Sequence, residues 1–177
     1  MFEGWGEYFF MIGSSAAALI GLMFVVVSLT AGRDRSQLEQ GKHFYTSPIV
    51  WHLGTVLLLS GGAIAPTMSP MLYGIAGAGL ALLGIGMGVR SAVGIARAQL
   101  VEGPDKTFDV WWYGIVPGAV YVVLGAASGA VLLGSSWAAS AIAAALMALL
   151  LVSIHAEWDL VTFLAPGAGQ PGDSGNP

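Results

Sequence analysis

Residues 110–156 read VWWYGIVPGAVYVVLGAASGAVLLGSSWAASAIAAALMALLLVSIHA, 47 consecutive positions without an Asp, Glu, Lys or Arg. A helix rises 1.5 Å per residue and needs roughly 20 apolar residues to cross about 30 Å of hydrocarbon. This stretch therefore fits two crossings, with Gly134-Ser135-Ser136 as the turn between them. Working outward, His43–Val89 is a second charge-free run of 47 residues, and Tyr8–Gly32 is a third of 25. The first of these fits two more crossings and the last fits one. The sequence thus predicts an all-α, polytopic membrane bundle of five transmembrane helices. Its spans fall at about 7–31, 47–65, 70–99, 110–133 and 137–164, within one transmembrane domain over 1–166. The remaining residues, 167–177, are Gly, Pro and small polar groups, composition expected of a disordered tail.

The whole chain agrees with its parts. Of 177 residues, 56% are apolar and 9% charged, too few charges to coat a soluble domain. The absence of cysteine excludes disulfides, thiol redox chemistry and thiolate metal ligation. A net charge of −4, with 6 Lys+Arg and no basic run, leaves no footprint for nucleic acid. Glu3 and Glu7 stand where a cleavable leader would carry basic residues, so the first span is expected to remain.

Arg33, Arg35 and Lys42 follow the first span, and Arg90, Arg97 and Lys106 cluster at the end of the third and beyond. The positive-inside rule places both groups in the cytoplasm, the N-terminus outside and the C-terminus inside. Trp5, Tyr8, Tyr73 and Trp137 then form the outer aromatic belt, and Tyr45, Trp51, Trp111, Trp112 and Trp158 the inner one. High Gly and Ala content with few lysines points to a bacterial inner membrane. A short echo, Val50-Trp51-x-x-Gly54 against Val110-Trp111-x-x-Gly114, is too brief to establish duplication.

Ionisable groups within reach of the spans collect at one depth. Counting from the helix ends puts His52, Arg90, His155, Glu157 and Asp159 near the cytoplasmic boundary, leaving the bilayer centre empty of charge. That argues against a midplane proton relay or coupled-ion site. His155 and Asp159 share a helix face and Glu157 points roughly opposite. One carboxylate is expected to pair with Arg90 or Arg97. The ligand types of His52, His155 and Asp159 would also suit zinc or nickel, and either histidine would suit a pH sensor. Neither use is favoured: no metal, no cofactor and no catalytic constellation is assigned.

Small residues recur at four-residue spacing: Gly13, Ala17 and Gly21 on the first helix; Gly84, Gly88, Ala92 and Ala96 on the third; Gly114, Gly118, Gly125 and Gly129 on the fourth. In lipid such stripes allow close helix approach, within one protomer or between copies. Pro117 is expected to kink the fourth helix by clashing with the Tyr113 carbonyl. Five helices, an outside N-terminus and abundant tryptophan resemble the bacterial tryptophan-rich translocator proteins in architecture. Their W-Y-x-x-L-x-K-P-x-W-x-P-P signature is absent, because Trp112-Tyr113 is followed by Gly114-Ile115-Val116-Pro117. None of that family's binding residues carries over.

These features lead to a non-enzymatic membrane protein associating with itself or another membrane protein. The favoured role is a homo-oligomeric channel or passive transporter, with Ser14, Ser15 and Ser28 as a candidate pore face. The alternative is an accessory or scaffold subunit of a larger complex.

Overall fold

A computed structural model describes residues 2–30, 47–97 and 111–164. It is all-α: α1 (Gly6–Thr30), α2 (Ser47–Ile64), α3 (Pro70–Arg97), α4 (Val116–Leu132) and α5 (Ala138–Leu164), with a π-helical turn at Trp111–Ile115 leading into α4. Arg33, Arg35, Lys42, Tyr45, Lys106 and the C-terminal tail lie outside the described residues.

Local chemistry sets the helix ends. Ser69 Oγ accepts the Leu72 N–H at 3.2 Å, capping α3 just before Pro70, whose missing N–H is harmless in the first turn. At the end of α4, Gly134 takes φ +70°, its N–H bonds Val131 O, and Ser135 N–H bonds Ala130 O, both at 3.0 Å. That Schellman pair closes orphan carbonyls and turns the chain back into α5. Pro117 stands at the start of α4, directly after a π-helical turn. That winding loosens the backbone where a regular α-helix would drive the proline ring into the Tyr113 carbonyl.

Consecutive helices run antiparallel and form a ring. α3 packs most extensively on α4, α1 on α2 and α4 on α5, while α2 also meets α3 and α5, and α1 closes the ring against α5. The α2–α3 and α4–α5 turns define a hairpin end of the bundle; the starts of α2 and the π-turn and the end of α5 define the loop end. α5 is the most enclosed span, 56% buried, against 22% for α1. Its inner face, including Ile142, Leu146 and Leu149, meets Phe9, Ile12, Leu53, Val56 and Leu124 in one core.

The outside is as apolar as the inside. Phe10, Phe24, Leu82, Met71 and Leu133 are each at least 65% exposed. In water so much exposed apolar surface would drive aggregation; in lipid it costs nothing. Membrane character thus rests on the surface as well as the helices. Among the described residues, four helices are long and apolar enough to cross: Gly6–Ser28, Pro70–Ser91, Trp111–Leu132 and Ala138–Thr162. The expected second span is the exception, because its apolar helix, Pro48–Ile64, is shorter than the others. Its 18 residues in all reach about 27 Å, just under the hydrocarbon thickness.

The α3–α4 seam explains much of the glycine content. A Cβ added at Gly74 would lie 2.6 Å from Leu132 and at Gly84 2.5 Å from the Tyr121 ring, and one at Gly77 would clash with Ser128 Oγ. At Gly88 it would meet Gly114 O at 3.3 Å. With Ala81, these α3 positions advance by three and four residues alternately, the coiled-coil repeat, rather than by the four expected from Gly84-xxx-Gly88. Gly118 and Gly125 join the same seam, facing Gly88 and Ala81. Gly114 is buried there too, while Gly129 has open space beside it. On α1 only Gly13 packs inward, its Cβ position 3.0 Å from Ser60, whereas Ala17 and Gly21 are exposed. The 100° turn per residue carries a four-residue stripe around the helix, so its far end leaves the contact.

Candidate functional site

The five boundary residues do not form one cluster; helix rotation sorts them into separate places. His155 and Asp159, one turn apart on α5, make a 3.4 Å contact, both side chains more than one-third exposed. Asp159 also accepts the Tyr113 hydroxyl, which the π-turn carries to it. The Trp112 ring meets the His155 ring edge-on at 4.6 Å. This loop-end group joins one helix terminus to the π-turn, and its exposure keeps the charge near water. Arg90 is exposed and forms no ion pair among the described residues, and the Arg97 side chain lies outside them. Among the described residues, Asp159 is met by a tyrosine and a histidine; the expected pairing with Arg97 falls on a side chain outside them.

His52 points elsewhere. It is 6% exposed, and its Nδ1 lies 2.9 Å from the hydroxyl of fully buried Tyr121 on α4. Tyr121 donates to Thr55 Oγ1 at 3.4 Å, and Thr55 donates to Trp51 O at 2.9 Å. One direction of donors satisfies this chain: His52 Nδ1–H to Tyr121, Tyr121 to Thr55, Thr55 to the α2 backbone. Nitrogen-15 NMR of His52 is accordingly expected to show the Nδ1–H tautomer. An Nε2–H tautomer would mean that Tyr121 donates to the ring instead.

Further along the interior lie buried hydroxyls without a protein partner: Ser60 on α2, Ser128 on α4 and Tyr73 on α3. Thr55 and Ser60 are about 7.5 Å apart along α2, and Tyr121 and Ser128 about 10 Å along α4, from helix rise. Tyr73 was expected in the outer belt. It is instead 1% exposed, packed edge-on to Phe2 at 4.7 Å, because the N-terminal residues fold over the hairpin end. A cavity of about 180 Å³ opens there between Phe2, Met68, Pro70 and Tyr73. Ser60 faces Gly13 in the α1–α2 seam, Ser128 faces Gly77 in the α3–α4 seam, and Tyr73 lines the hairpin-end cavity.

Ser14, Ser15 and Ser28 do not contribute to this interior. Ser14 and Ser28 are exposed, and Ser15 and Ser28 bond the carbonyls of Met11 and Phe24 one turn back. Hydroxyls in membrane helices commonly do so. Glu157 is 8% exposed, faces α1, and its Oε1 has no hydrogen-bond partner.

Among the described residues no group of three His, Asp or Glu side chains comes together to hold a metal. His52 is committed to Tyr121, whereas His155 and Asp159 share a face with Trp112 and Tyr113. Tyr113, Tyr121 and the buried serines escaped the sequence reading, which followed charges. The available signal was a tyrosine one helix turn before Pro117 and another one turn after it. Comparison with known proteins adds no likeness: no family model, no curated protein and no solved structure matches the chain.

Proposed function

We propose that the chain is a multi-pass membrane protein acting as a homo-oligomeric channel or passive transporter for an ion or small solute, without catalytic activity. α2 supplies a fifth crossing, its short length met by modest local thinning of the bilayer. The N-terminus then lies outside and the C-terminus in the cytoplasm, as the Lys/Arg distribution of a bacterial inner-membrane protein requires. The hairpin-end cavity opens outward and the His52 chain lies toward the cytoplasm.

The observation that carries this reading is the set of buried, unpartnered hydroxyls of Ser60, Tyr73 and Ser128. Each such group costs about 1–3 kcal/mol when left unsatisfied, and an inert scaffold would replace it with an apolar side chain. In a permeation path the same groups pair with a passing solute or with water. The empty bilayer centre suits downhill movement rather than coupling to an ion gradient. Exposed Ala17 and Gly21 leave the least enclosed helix, α1, open to close approach by a second copy.

The test is flux into liposomes reconstituted with purified protein. Osmotic light scattering follows small solutes, and ion-sensitive dyes follow protons and monovalent ions. The expected result is downhill flux above empty liposomes for at least one species, reduced several-fold by Ser128→Val. No flux above empty liposomes, together with a stoichiometric partner in native mass spectrometry, would favour the accessory-subunit reading instead.

A further inference from the structure

Glu157 occupies a place that neither the His52–Tyr121–Thr55 chain nor the loop-end group uses. It lies in a groove of about 190 Å³ between α1 and α5, walled by Leu22, Met23 and Val26 on α1 and by Trp158 and Val161 on α5. Among the described residues the lining is otherwise apolar, and Glu157 is its one ionisable group. Glu157 is 8% exposed as a residue, and its Oε1 is enclosed and meets no donor among the described residues. Leu22, Trp158 and Val161 are exposed at 56%, 68% and 41%, so the groove opens sideways on the surface that faces lipid.

A buried carboxyl oxygen without a donor is met either by protonation of the group or by a partner that supplies the donor. Depth narrows the ligand. Glu157 lies seven residues, about 10 Å, before the end of α5, whose 27 residues extend about 40 Å. The carboxyl therefore sits near one edge of the hydrocarbon, with the apolar walls beside it. From these features we propose that the α1–α5 groove binds a soluble amphiphilic cation, an alkylammonium, with its ammonium on Glu157 and its chain along Leu22, Val26 and Val161. Trp158 adds an aromatic surface suited to the cationic head. A zwitterionic lipid headgroup fits less well, because among the described residues no basic side chain lines the groove to receive its phosphate. The site is on the opposite side of α5 from the α4 contact, and the proposal does not depend on the transport reading.

The test uses the full-length protein in phosphatidylcholine nanodiscs, with radiolabelled dodecylammonium as probe and empty discs as background. Saturable binding of about one probe per chain is expected, with dodecanol failing to compete. Glu157→Gln, which keeps size and removes the charge, is expected to weaken binding about tenfold or more, while Glu157→Asp retains most of it. Circular dichroism of each variant checks that the helices persist. Binding that is unchanged in Glu157→Gln, or no saturable excess over empty discs, would overturn the proposal. So would loss of probe binding when phosphatidylethanolamine replaces phosphatidylcholine, which would assign the groove to lipid.

Discussion

Replacing Gly84 with valine is expected to destabilise the protein strongly, because it forces a branched side chain into the closely packed α3–α4 seam. A Cβ there falls 2.5 Å from Cδ1, Cε1 and Cζ of Tyr121, far inside contact distance. The tyrosine ring is fully buried and its hydroxyl is held by His52 and Thr55, so it has no free rotamer to retreat into. Overpacking of this kind typically costs about 1–3 kcal/mol, and a branched side chain against a pinned ring belongs at the upper end or above it. Thermal unfolding in mild detergent, followed by circular dichroism, measures it. Gly79→Val is the control, since its Cβ position has open space. The coupling is testable too. Gly84→Ala with Tyr121→Leu is expected to lose less than the sum of the single changes, because the smaller side chain makes room for the new methyl.

The second large effect comes from removing that ring. Tyr121→Ala is expected to cost about 3–5 kcal/mol, the usual range for truncating a buried aromatic residue. It opens a cavity where α2, α3 and α4 meet and strands His52 and Thr55. Tyr121→Phe separates the two contributions. It keeps the packing and deletes only the hydroxyl, leaving His52 Nδ1 without its partner for about 1–3 kcal/mol. Equal losses in the alanine and phenylalanine variants would mean that the hydroxyl chain, rather than the packed ring, holds the seam.

The bundle was legible because its decisive quantity is one-dimensional. Gaps between charges measure crossing lengths directly, so the helices fall within a residue or two of their expected limits wherever they are described. α2 also matches its expected limits of 47–65, at Ser47–Ile64, but its 18 residues fall just short of a full crossing. The site was less legible because depth along a helix says nothing about rotation around it. His52, His155 and Glu157 share a depth yet face α4, the π-turn and α1 respectively. The i,i+4 relation of His155 to Asp159 could be read locally and appears as a contact. The partners Tyr113 and Tyr121 sit 46 and 69 residues from the groups they bond, and no local pattern specifies such pairs. The α3 seam failed for a related reason. A four-residue motif describes a short crossing, whereas long contact between nearly antiparallel helices selects the alternating three-and-four repeat.

The central claim, five crossings with α2 among them and both basic loops in the cytoplasm, can be tested in intact cells. The chain has no cysteine, so single cysteines can be introduced without altering any native thiol. Gly4, Thr67 and Ser136 mark the N-terminus and the two hairpin turns; Gln40 and Asp105 mark the two basic loops. With a membrane-impermeant maleimide, cysteines at the first three positions are expected to label from outside. Those at Gln40 and Asp105 are expected to label only after permeabilisation. Protection of the Thr67 position while Gln40 labels from outside would contradict the account, because α2 would then run in the opposite sense or fail to cross.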